Sequence, residues 1–239
     1  MVRLILAEII KLKKSNIKYC LLVLIIPVIL VTFIYHVNPK YVFDWYEFFV
    51  TITTFENFIA APFVFGFLGI YIFGSEYQGK NIDVLFTYPI KRSKLMLVKY
   101  MFIFILILVS FLSVLLLLIL FGLTFDKGIM DKQLLISMVF VYIKMVIMHF
   151  LLIPIMVFVA IKSKGIVTPV IGLMAVCFLN IVIVNTSVNI IFPWSIPVIF
   201  SPSDVGRTYV NYTLGSTVLI SSFLVGLFLT YKKFCNNDT

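Results

Sequence analysis

Six apolar stretches alternate with short polar gaps along this chain, and each is long enough for a helix to cross a hydrocarbon layer. They fall near residues 19–36, 57–74, 95–123, 134–160, 166–190 and 213–231. The pattern predicts an all-α integral membrane protein, six transmembrane helices in a single domain over 1–239. The third and fourth stretches exceed the roughly 20 residues a bilayer requires, so these helices tilt or project beyond it. The first stretch runs into Tyr35-His-Val-Asn-Pro-Lys40 rather than a small-residue cleavage site, and it reads as a retained span.

Two departures from the simple pattern predict further elements. Over residues 2–18, Val2, Ile5, Leu6, Ile9 and Leu12 recur at helical spacing, while Arg3, Lys11, Lys14 and Lys18 lie towards another face. Glu8 stands where it supports Lys11 at i,i+3. This is a basic amphipathic helix suited to a membrane interface. Its role is either to touch a cytoplasmic partner or simply to anchor the chain. Between the fifth and sixth stretches, Phe192-Pro-Trp-Ser-Ile-Pro-Val-Ile-Phe-Ser-Pro202 is apolar, but Pro193, Pro197 and Pro202 prevent one continuous helix. Broken apolar backbone is tolerated at membrane depth when protein buries it. Short re-entrant helices capping the outer mouth are expected here, with a loop dipping into the headgroups as the alternative.

Composition agrees with the pattern: 62% of residues are hydrophobic and 12% charged, with mean hydropathy +1.16. The net charge of +9 would suggest nucleic acid in a soluble protein. Here the cations sit in alternate gaps, which points to topology and anionic headgroups instead. One set of gaps holds Arg3, Lys11, Lys13, Lys14, Lys18, Lys80, Lys91, Arg92, Lys94, Lys99, Lys162, Lys164, Lys232 and Lys233, whereas the other holds Lys40, Lys127, Lys132 and Arg207. The positive-inside rule therefore places both termini in the cytoplasm. Trp45 and Trp194 fall in the outer segments, as interfacial anchors would. Cys20, Cys177 and Cys235 are odd in number and far apart, and read as small hydrophobes. An excess of Lys over Arg, amid much Ile, Phe and Asn, suggests an AT-rich bacterial genome.

The loop Gly74-Ser-Glu-Tyr-Gln-Gly-Lys-Asn81 spells the opening of a phosphate-binding P-loop. The last position should carry a hydroxyl for magnesium and is Asn81, and no strand precedes the motif. Nucleotide binding in this chain is excluded on those grounds. There is also no catalytic motif: no H-E-x-x-H, no G-x-S-x-G, and only two histidines. Read whole, residues 76–94 mix charge with Ile82, Val84, Leu85 and Phe86 and reach Pro89. A short helix presented to a soluble partner has this composition, apolar knobs for a groove and charges for the rim.

With Glu76, Gly79, Leu85, Pro89 and Arg92, then Lys99 in the following span, the chain resembles the ABC-2 type transporter permeases. Its small size looks most like the permeases of bacterial peptide-antibiotic export and immunity systems. Asn81 stands where many members carry Thr. The resemblance implies a coupling helix around 77–88, with Glu76, Gly79, Ile82, Leu85, Phe86, Pro89 and Arg92 as ATPase-coupling residues. It implies no cofactor in this chain, with ATP and Mg held by a separate ABC ATP-binding subunit. A second permease subunit, identical or related, and membrane lipids complete the partners, and the location implied is a bacterial cytoplasmic membrane. The alternative is an ATP-independent immunity or channel-like membrane protein acting by direct binding. An intramembrane enzyme is disfavoured by the missing acid–base groups.

Three polar residues inside spans are the remaining candidates: Lys144 and His149 in the fourth and Asn180 in the fifth. Counted from residue 134, Lys144 reaches mid-bilayer. A substrate or proton relay is one reading, snorkelling or hydrogen bonding to neighbouring helices the other.

Overall fold

The computed structural model of the chain describes residues 2–38, 42–78, 91–125, 131–202 and 210–235, and helix is the only regular secondary structure among them. Helix α1 (Val2–Lys14) is the predicted amphipathic element. Leu4, Ile5 and Leu12 pack against the core, whereas Leu6, Ile9 and Ile10 stay exposed. The expected apolar stripe is thus shared between protein and surroundings. Ser15 closes α1; its hydroxyl accepts from the Ile17 amide at 3.2 Å and pairs with the Tyr71 hydroxyl at 2.9 Å. A 3-10 segment, Asn16–Ile25, leads into α2 (Ile26–Val37). Pro27 sits in the first turn of α2, where a missing amide is harmless.

Helix α3 (Trp45–Phe55) starts at Asp44, whose carboxylate accepts from the Glu47 amide at 2.8 Å. A π-helical segment, Glu56–Ala60, then joins it to α4 (Ala61–Tyr77). The second span was expected to begin at residue 57, yet the helix begins at Trp45. Glu47, Thr51, Thr53 and Thr54 lower the hydropathy of that stretch without breaking a helix. Next come α5 (Arg92–Gly122), α6 (Lys132–Ser163) and α7 (Val167–Ile183). The expected fifth span, 166–190, is cut short because the chain turns after Ile183 and the Asn189 amide group donates to the Val184 carbonyl at 2.8 Å. Short turns Asn189–Ile191 and Pro193–Ser195 and the four-residue α8 (Ile196–Ile199) follow, with α9 (Tyr212–Cys235) last. The proline-rich segment is broken as predicted, and Trp194, Ile196, Val198 and Ile199 are buried in protein.

Among the described residues, five stretches are long and apolar enough to cross a membrane: Asn16–Val37, Trp45–Tyr77, Arg92–Gly122, Lys132–Ser163 and Tyr212–Cys235. Val167–Ile183 is apolar but only 17 residues long. Trp45–Tyr77 and Lys132–Ser163 form the centre, 67% and 56% buried over their most apolar windows against 22–33% for the other three. Helix α6 touches α4, α5, α7 and α9. It comes close to α9, where a Cβ on Gly226 would lie 2.9 Å from both the Ile155 nitrogen and Pro154 Cβ. Backbone meets backbone there, as small residues allow between membrane helices. The Thr230 hydroxyl seals the contact by donating to the Pro154 carbonyl at 3.2 Å.

The tryptophans depart from their expected role. Trp45 is 8% exposed and lies where any side chain at position 122 would stand, and Trp194 is 7% exposed. Both indoles fill gaps between helices rather than facing a lipid–water boundary.

Candidate functional site

Two polar groups are buried at the two ends of α4. The first joins α1, α4 and α5. Lys99 is 2% exposed on its side chain, and its ammonium lies 2.7 Å from Glu76 Oε1 and 3.4 Å from Glu8 Oε1. It also donates to the Ile72 carbonyl at 2.9 Å. Lys11 approaches the same two carboxylates, Glu76 at 3.0 Å and Glu8 at 3.2 Å. Two anions and two cations therefore alternate in one net-neutral cluster. Burial alone would lower the Lys11 pKa, but the Glu76 and Glu8 carboxylates outweigh it and hold that pKa above the usual lysine value. Lys11 remains 55% exposed on its side chain, so its share of the binding is the weak one.

The cluster fixes where α1 sits. Glu8 and Lys11 lie one helical turn apart and face the same way. Glu76 occupies the last turn of α4, directly before the 77–88 segment, and Lys99 lies two turns into α5, just beyond it. The Arg92 guanidinium, at the start of α5, donates to the Cys235 carbonyl at 3.2 Å and so tends the C-terminal end of α9. Gly79, Ile82, Leu85, Phe86 and Pro89 lie outside the described residues, as does most of the expected coupling helix. Gly74 to Tyr77 are helical, and Gly74 abuts the Gly165 carbonyl.

The second group surrounds the π-helical segment. Pro62 lacks the amide that would bond the Phe58 carbonyl, and the Asn180 side chain donates to that carbonyl instead at 3.1 Å. Asn57 Oδ1 and His149 Nε2 lie 3.0 Å apart, with His149 set among Phe65 and Phe111. The Tyr142 phenol lies beside the Glu56 carboxyl, though neither reaches hydrogen-bonding geometry. Glu56, Asn57 and Asn180 are fully buried. Among the intramembrane candidates, Asn180 and His149 thus meet at one place. Lys144 is apart from them, exposed in a groove between α6 and α9. Sequence reasoning did not find Asn57 or Tyr142. A Glu-Asn pair shortly before Pro62 was the available signal. Among the described residues, no three His, Cys, Asp or Glu side chains converge as a metal site would need.

No curated protein matches the chain. A family model described as ABC-2 family transporter protein matches residues 4–184, which takes in most of α1, the four-charge cluster, the π-helical segment and all of α7. That is three-quarters of the sequence, and the chain belongs to the ABC-2 family of transporter proteins.

Proposed function

We propose that this chain is the permease subunit of an ATP-driven bacterial exporter for a hydrophobic or amphipathic substrate, such as a peptide antibiotic or a lipid-like molecule. ATP is hydrolysed by a separate subunit that docks on the 77–88 segment, and a second permease, identical or related, completes the membrane part. In this reading the chain crosses the membrane six times, α7 forms the fifth crossing, and both termini are cytoplasmic. The short turns and α8 form the outer re-entrant element. Fourteen cations in the inner gaps against four in the outer support that orientation.

The observation that carries the coupling role is the buried Lys99–Glu76 pair, joined by Glu8 and Lys11 at the mouth of the 77–88 segment. A push on that segment reaches α1, α4 and α5 together, because one charge cluster ties all three. In this arrangement Glu76 positions the segment rather than meeting the ATPase itself, since its side chain is 9% exposed.

The test is co-expression with a neighbouring ATP-binding subunit and measurement of ATPase stimulation by candidate amphipathic substrates. Stimulation is expected, and Glu76→Lys and Leu85→Gln should reduce it without altering the ATPase subunit alone. Normal stimulation and export in both variants would refute the coupling assignment. Protection of cells by this chain with no ATPase present would favour the direct-binding alternative.

A further inference from the structure

Lys144 and the groove beside it are not used by the coupling cluster or by the π-helical site. Helix α6 runs for 32 residues, so the depth assigned to Lys144 depends on which end of the helix is taken as the membrane surface. Measured from the other end, Lys144 is nineteen residues from Ser163, a rise of about 28 Å and close to the roughly 30 Å of a hydrocarbon core. Lys162 and Lys164 mark that other end, as Lys232 and Lys233 do on α9. If those lysines sit at one membrane surface, the Lys144 ammonium sits at the headgroup level of the opposite leaflet.

The groove beneath it has a definite shape. Helices α6 and α9 run parallel and touch backbone to backbone at Pro154 and Gly226. Towards Lys144 and Ser216 they separate, and a cavity of about 220 Å³ opens between them. Lys144 and Ser216 lie at its headgroup end. Met148, Leu151, Leu219 and Ile220 line the part running deeper. Phe200 closes the side, brought against α9 because Gly215 has no side chain to keep it away. Ile143 and Ile220 are 43% and 52% exposed, so the surface around the cavity is apolar and outward-facing. Lys144 makes no ion pair among the described residues.

We infer that this groove holds an anionic phospholipid of the leaflet opposite the basic helix ends, its phosphate on Lys144 and one acyl chain between α6 and α9. A cation at phosphate depth above an apolar cleft is complementary to that amphiphile along its whole length. The cavity of about 280 Å³ on the α2–α3 side is larger but offers no charge, so nothing in it selects a headgroup. The inference needs the chain to span a membrane and does not depend on the substrate or on the coupling role.

The experiment is native mass spectrometry of the full-length chain, released from nanodiscs containing equal amounts of phosphatidylglycerol and phosphatidylcholine. Wild type should retain phosphatidylglycerol about five-fold over phosphatidylcholine, the factor that about 1 kcal/mol for one lysine near an anionic surface gives. Lys144→Gln should remove the preference, Lys144→Arg should keep it, and Ile220→Trp should reduce retention of both lipids. Unchanged thermal melting shows that the variants fold. Equal retention by wild type, or an unchanged ratio in Lys144→Gln, would overturn the inference. Competition by glycerol phosphate as strong as by intact lipid would make this a phosphate site and also overturn it. Displacement of bound lipid by an amphipathic peptide that stimulates the ATPase would assign the groove to cargo instead.

Discussion

Glu76→Gln keeps the size of the side chain and removes one charge from the four-membered cluster. Lys99, 2% exposed, would then keep Glu8 at 3.4 Å as its counter-charge, with the Ile72 carbonyl at 2.9 Å and the new amide oxygen as neutral acceptors. Removing one partner of a buried ion pair costs roughly 3–5 kcal/mol, and the remaining acceptors place this case near about 3 kcal/mol. Lys11 adds little, since it is half exposed and keeps Glu8 at 3.2 Å; such a pair is worth less than about 1 kcal/mol. Lys99→Met leaves Glu76 with Lys11 at 3.0 Å, so the expected loss is smaller, about 2 kcal/mol. Combining the two leaves no buried charge unpaired, and the double variant should return to within about 1 kcal/mol of wild type. The coupling energy should therefore exceed about 2 kcal/mol. In a thermal melt of the full chain in detergent, Glu76→Gln should lower the midpoint by about 6–12 °C, with the double variant recovering most of it. Losses that simply add, or a double variant worse than either single, would refute the cluster as a cooperative unit.

Gly226→Leu forces a side chain into the Pro154–Ile155 backbone, so about 2–3 kcal/mol of destabilisation is expected, read as a lowered melting midpoint. Asn180→Leu leaves the Phe58 carbonyl without its donor and should cost about 1–3 kcal/mol. Adding Pro62→Ala restores an amide at the position that can serve that carbonyl, and the double variant should melt above Asn180→Leu alone. Because the Lys11 pKa is raised, its stabilising contribution is fully present below the ordinary lysine value of 10.5 and fades only as pH rises through the raised one. The protection of a cysteine placed on the inner face of α1 against thiol labelling should accordingly not fall through loss of the Lys11 charge anywhere from neutral pH to the ordinary lysine value.

The long hydropathy runs made α5, α6 and α9 legible, because a helix in lipid must be apolar over its whole crossing. The start of α3 was hidden by the same measure. Glu47 and the threonines of Trp45–Phe55 dilute the apolar signal, yet Asp44 with Glu47 three residues on is a helix-start signature in its own right. The α7 boundary was overshot because Val184, Val188, Ile190 and Ile191 prolong the apolar run, although Asn185, Thr186, Ser187 and Asn189 interrupt it. At the candidate site, Glu8 and Lys11 were legible as a pair from their spacing. Glu76 and Lys99 were singled out, but their meeting was not, since 22 residues separate them in sequence and only the packing of α4 on α5 joins them.

The buried polar groups sort by charge, and the sorting has a physical basis. At the base of α4, ammonium and carboxylate groups are taken out of water only in a set whose charges cancel. Around Glu56–Ala60, the groups that pair are neutral ones: Asn180 replaces the donor that Pro62 removed, and Asn57 meets His149. An isolated ion in either place would cost several kcal/mol. Lys144 follows neither rule, being exposed and without an ion pair among the described residues, on an outward-facing apolar surface. The economy of the rest of the chain makes that exception informative. A lone ammonium on such a surface is stable where it reaches phosphates, and the length of α6 puts Lys144 about one hydrocarbon thickness from the opposite basic end.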